Sequence, residues 1–61
     1  MFHVIRQKQI ENVKSYDVLS LSANTFLNFT ASEAYGLAKM GLLPGYIPTK
    51  DKEGNKDVKR K

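Results

Sequence analysis

Thr30-Ala31-Ser32-Glu33-Ala34-Tyr35-Gly36-Leu37-Ala38-Lys39-Met40-Gly41-Leu42-Leu43-Pro44 carries both a helix start and a helix stop. Thr30 and Glu33 stand at the spacing of a capping box. The Thr30 hydroxyl accepts from the Glu33 N–H, and the Glu33 carboxylate accepts from the Thr30 N–H. Phe29 and Ala34 fall at the two staple positions. At the other end Gly41 can take the left-handed conformation, which brings Leu42 against Leu37 in a Schellman stop. Pro44 prevents the helix from resuming. One short helix over residues 31–40 follows, with strand patterns before it and loop or tail patterns after it.

Upstream, residues 17–30 alternate. Leu19, Leu21, Ala23, Leu27 and Phe29 occupy odd positions, while Ser20, Ser22, Asn24 and Asn28 occupy even ones. A period of two is the pattern of a half-buried strand. Ser22-Ala23-Asn24-Thr25 is the turn-like cluster inside it. A loop with an odd number of residues, such as 23–25, keeps Leu21 opposite Leu27 and Leu19 opposite Phe29. A two-residue loop sets Leu27 against Ser20 and breaks the apolar face.

The first segment pairs with the second if Glu11-Asn12 is a two-residue turn. Ile10 then faces Val13, Arg6 faces Asp17, Ile5 faces Val18, Val4 faces Leu19 and Phe2 faces Leu21. Apolar and opposite-charge pairs coincide, as cross-strand stabilisation requires. The expected fold is therefore α+β: a small three-stranded antiparallel β-meander with one α-helix packed on one face. Phe2, Val4, Leu19, Leu21, Leu27 and Phe29 form the covered face, met by Ala31, Ala34, Tyr35, Ala38 and Leu42. A loop or short helical turn over residues 10–15 is the alternative. Gly36, between the small residues Ala34 and Ala38, reads as a site of close helix-on-sheet packing. Close approach of a second helix is the sharper alternative.

Leu43-Pro44-Gly45-Tyr46 suits a type II turn, with proline and then glycine at its centre. Beyond it, Val58 is the one aliphatic residue after Thr49. So few apolar groups cannot offset the entropy of ordering a segment. Residues 1–49 are thus expected to form one domain and residues 50–61 a basic, flexible tail. Glu53-Gly54-Asn55 offers the alternative of a small basic hairpin.

The chain has 61 residues, a formal net charge of +4 and no cysteine. A domain this small buries only about 60% of its unfolded surface, and neither disulfides nor thiolate zinc sites can assist it. No stretch is long and apolar enough for a membrane span, and Met1–Lys8 lacks the apolar core of a secretory signal. A cytoplasmic location without membrane contact is expected.

No chemistry-bearing constellation emerges. His3 is the single imidazole. The expected register places it across from Ser20, but an orienting group and an oxyanion donor are missing. Glu11, Asp17 and Glu33 have structural readings as turn, cross-strand pair and cap. Gly36, Gly41, Gly45 and Gly54 fit no phosphate-loop spacing. No catalytic residue, cofactor, metal or small-molecule substrate is expected.

The sheet face away from the helix would carry Ile5, Val18 and Phe26, with Tyr16 nearby. Uncovered apolar groups of this kind mark interfaces. The first expectation is thus a non-enzymatic protein-interaction module, acting on a larger protein or pairing with itself as a homodimer. Small inhibitors carried by phages and other mobile elements are an analogy of size. The second expectation is a small DNA- or RNA-binding protein that uses the Leu43–Tyr46 turn and the basic tail, with Lys56, Lys59, Arg60 and Lys61 as phosphate contacts.

One family echo bears on the second. Met40-Gly41-Leu42-Leu43-Pro44, followed by Lys50, Lys52, Gly54 and further basic residues, resembles the helix exit and basic wing of MerR-type winged-helix regulators. It covers about a third of the chain. Ala34-Tyr35-Gly36-Leu37 lacks the aromatic–arginine pair of that family's DNA-facing helix. Strand alternation stands where the family has the first helix of its helix-turn-helix. The resemblance implies a DNA-facing helix and wing.

Overall fold

A computed structural model describes all residues, 1–61. The order is β1 (Phe2–Ile10), β2 (Val13–Ser20), β3 (Thr25–Thr30), α1 (Ala31–Lys39), β4 (Tyr46–Lys50) and β5 (Lys56–Arg60). Antiparallel strands β1-β2-β3 form one sheet and β4-β5 a second. The chain is α+β, with antiparallel sheets and one helix. No helix is long and apolar enough to cross a membrane.

The helix ends follow from the residues that mark them. The Glu33 N–H donates to Thr30 Oγ1 at 3.2 Å, and the Thr30 N–H donates to Glu33 Oε1 at 2.9 Å. At the exit Gly41 has φ +74°. The Leu42 N–H reaches the Leu37 carbonyl at 2.9 Å, and the Gly41 N–H reaches that of Ala38 at 3.1 Å. That pair of bonds defines a Schellman stop. The helix proper ends at Lys39, with Met40 as its cap. Gly36 is not a packing device, because a Cβ built there meets no atom within 4 Å.

The β1–β2 turn uses Glu11 and Asn12, both at positive φ (49° and 67°), as a type I′ hairpin turn requires. Ile10 pairs with Val13 and Arg6 with Asp17. Beyond Arg6 the register slips at an irregularity between Val4 and Arg6, so Val4 meets Val18, His3 meets Leu19 and Phe2 meets Ser20. The extra residue, Ile5, changes the alternation. Val4 thereby shares the side of Val18, while Arg6 shares the side of Asp17. The expected Ile5–Val18, Val4–Leu19, Phe2–Leu21 and His3–Ser20 pairings do not form.

The β2–β3 loop also departs from expectation. Ser20 pairs with Thr25, Leu19 with Phe26, Val18 with Leu27 and Tyr16 with Phe29. Four residues, 21–24, form the connection, and Leu21 lies in it, 54% exposed. An even loop reverses parity, so odd residues of β3 share a face with even residues of β2. The inner face therefore carries Tyr16 and Val18 rather than Leu19 and Leu21. Tyr16, Val18, Ala34, Leu43 and Val58 form the buried core. Phe2 and Phe29 meet edge to face, with ring centroids 5.5 Å apart.

The C-terminal segment is an ordered hairpin rather than a tail. Tyr46 pairs with Arg60, Pro48 with Val58 and Lys50 with Lys56. Its turn is built on Asp51, whose Oδ1 accepts from the Glu53 N–H at 2.9 Å and the Asn55 N–H at 2.8 Å. Gly54 supplies φ +84°. Val58 and Asp57 are buried. One aliphatic residue suffices because the helix and Leu43 supply the remaining walls of the core. Residues 50–61 are therefore continuous with the fold of residues 1–49. Upstream of α1 lie three strands and no helix, unlike the arrangement the winged-helix resemblance implies.

Candidate functional site

The outer face of the meander is the side turned away from Val18 and the helix. Arg6, Asp17 and Asn28 stand in one row there, one from each strand. The Arg6 guanidinium donates to Asp17 Oδ2 from Nε at 3.2 Å and from Nη2 at 3.1 Å. Asn28 Nδ2 donates to Asp17 Oδ1 at 2.8 Å. Lys8 Nζ lies 3.5 Å from Asp17 Oδ2. The Asn28 amide leads the forces that hold the Asp17 carboxyl below the usual carboxylate range; desolvation opposes it, and Arg6 and Lys8 add to it. The row thus keeps a fixed charge pattern across all three strands.

Beside it Phe26 is 71% exposed and Ile5 54% exposed. With Arg6, Asp17, Leu27 and Asn28 they line one shallow groove. Ile5 reaches this face because of the irregularity in β1. Of the four expected interface residues, Ile5 and Phe26 are therefore at the surface together. Tyr16 and Val18 are not: both are buried on the inner face, since the four-residue loop and the slip at Ile5 set β2's even positions inward.

Tyr16 has another partner. Its hydroxyl donates to Asp57 Oδ1 at 2.6 Å. Lys14 Nζ donates to Asp57 Oδ2 at 3.1 Å, and the Val58 N–H donates to Asp57 Oδ1 at 2.8 Å. Burial opposes ionisation of Asp57, yet the Tyr16, Val58 and Lys14 donors outweigh it and hold the carboxyl below its ordinary range. Burial, then the bond to Asp57 and its negative charge, push the Tyr16 phenol well above its ordinary 10.0. A phenol held neutral against a carboxylate held ionised is a clasp between β2 and β5. The polar cleft beside it, between the helix start and two turns, includes Thr30 and Asp57, both already bonded within the protein.

His3 pairs with Leu19, away from the buried Ser20, so no His–Ser pair forms. No group of three or more His, Cys, Asp or Glu side chains is assembled to hold a metal ion. The basic residues of the hairpin are ordered by its pairing. Lys59 stands opposite Ile47 and Arg60 opposite Tyr46, while the Lys61 N–H bonds the Gly45 carbonyl at 3.0 Å. Lys56 Nζ sits 5.6 Å from the Tyr35 ring centroid.

Ile5 and Phe26 are exposed as expected, whereas nothing in the sequence pointed to the clasp. Its partners lie 41 residues apart, and no local signal links them. The hairpin that carries Asp57 had a signal, the Asp51–Asn55 turn chemistry. No family model matches this chain, and no curated protein or solved structure matches it.

Proposed function

We propose that this chain is a non-enzymatic protein-interaction module that binds a larger protein through the outer face of the meander. The observation that carries the reading is the pairing of exposed Phe26 and Ile5 with the bonded Arg6–Asp17–Asn28 row. Aromatic and arginine side chains dominate binding energy at protein interfaces. Burying a large apolar side chain contributes ~1.5–3 kcal/mol. A polar row already fixed by hydrogen bonds loses little entropy on binding. Arg6 and Lys8 share a single carboxylate, Asp17, so the face keeps positive charge beside its apolar groups. It suits a partner surface with an apolar centre and an acidic rim. Occupying such a surface would inhibit or modulate the larger protein.

The test is affinity capture from nuclease-treated lysate, followed by rebinding with the purified candidate. The wild-type chain should retain the partner, and Phe26→Asp should release it with helical circular dichroism unchanged. Equal retention by Phe26→Asp would defeat the proposal. Light scattering of the free chain separates a foreign partner from a second copy of itself.

A further inference from the structure

The charge of this protein is segregated in space, and the segregation follows the hairpin. Residues 1–38 hold Arg6, Lys8 and Lys14 against Glu11, Asp17 and Glu33, and are neutral overall. Each of those three cations has a carboxylate partner. Residues 39–61 hold seven cations against Asp51, Glu53 and Asp57. None of the seven (Lys39, Lys50, Lys52, Lys56, Lys59, Arg60, Lys61) takes part in any of the three ion pairs. Asp51 is committed to the turn and Asp57 to the clasp. Glu53 is the one carboxylate here with neither commitment.

Lys50 and Lys56 are direct cross-strand partners, and like charges placed so destabilise a sheet. Lys39 Nζ and Lys56 Nζ lie 5.4 and 5.6 Å from the same Tyr35 ring centroid. The ring gathers ammonium groups from the helix end and the hairpin into one patch. The like-charge Lys50–Lys56 pair, which costs stability in the free chain, is relieved by a polyanion laid across it.

We propose that the β4–β5 hairpin and the end of α1 form a phosphate-contacting surface for duplex DNA, independent of base sequence. A two-stranded ribbon has the width that the major groove of a duplex admits. A single strand fits less well. Single-strand binders present free aromatic faces for stacking, and Tyr35 is already attended by two lysines. This surface belongs to the side of the meander that carries Tyr16 and Val18. The Phe26 face is on the other side, so the two sites can be occupied and tested separately.

The experiment is fluorescence anisotropy of the full chain with a short labelled duplex over a range of salt concentrations. Affinity should fall steeply with salt, with a log–log slope of about −0.9 for each phosphate neutralised. The double variant Lys50→Gln/Lys56→Gln, whose residues are direct partners on one face of the ribbon, should flatten the slope by about 1.8. The control Arg6→Gln/Lys8→Gln removes the same charge from the meander and should leave the slope unchanged. Circular dichroism checks the fold of both variants. Phe26→Asp should bind DNA as the wild type does, so the two proposals fail independently. Absence of salt-dependent duplex binding would overturn the inference. So would equal loss in the Arg6/Lys8 control, or tighter binding to a single strand, to an acidic protein or to anionic lipid vesicles.

Discussion

The Tyr16 hydroxyl and the Asp57 carboxylate meet at 2.6 Å across 41 residues of chain. This bond joins the meander to the C-terminal hairpin. Both groups are buried, Tyr16 to 5% and Asp57 to 7% exposure. Only seven of the 61 residues reach that level of burial, so the clasp forms a large share of a small core.

Removing the phenol oxygen should therefore be costly. Tyr16→Phe leaves Asp57 with Lys14 and the Val58 N–H but strips its shortest bond. A hydrogen bond to a charged group contributes about 1.5–3 kcal/mol. Denaturant melts should show a lower midpoint of that size. A midpoint equal to wild type would mean that solvent replaces the bond at no cost.

The same pair sets the pH range of stability. Asp57 titrates below its ordinary 3.8 in the folded chain, so its contribution is complete above that value and is lost as pH falls through the folded pKa. Tyr16 titrates well above its ordinary 10.0, so its contribution is complete below pH 10 and is lost as pH rises toward the folded pKa. Thermal melts should give a plateau between these limits, with stability falling on both sides. In Tyr16→Phe the alkaline fall should be reduced.

Deleting residues 50–61 should unfold the protein. The deletion takes β5 with it, exposing Leu43 and leaving Tyr16 without Asp57. Loss of a cooperative melting transition is the expected result. A truncated chain that melts cooperatively near the wild-type temperature would show that the meander and helix stand alone.

Gly36→Ala should stabilise the chain by up to about 1 kcal/mol. Glycine inside a helix costs roughly that much relative to alanine, and the added methyl group meets no atom within 4 Å. A higher denaturant midpoint with unchanged slope would confirm it. A lower one would place a neighbour against Gly36 in solution.

Local devices are legible in the sequence. The Thr30–Glu33 box, the Gly41 stop, the Leu43–Tyr46 turn and the Arg6–Asp17 pair each rest on residues close in sequence or tied by one tight turn. The faces were not legible. Leu19 and Leu21 read as core because they alternate with serines, yet parity along a chain does not fix parity across a loop. The length of the 21–24 loop and the slip at Ile5 decided which side of β2 turned inward.

Half of the expected interface depended on that choice. Ile5 and Phe26 emerged at the surface, while Tyr16 and Val18 became core. The hairpin shows the same limit. Lys56-Asp57-Val58-Lys59-Arg60 has the composition of a solvated tail, and composition measures only what a segment can bury by itself. Val58 and Asp57 are buried because Leu43 and Tyr16, distant in sequence, are held beside them. Sequence by itself determined where the helix begins and ends, because capping and turn chemistry act within a few residues. Tertiary structure alone decided which face is core, and that the C-terminal segment is ordered, because burial is a property of neighbours that the chain brings together only on folding.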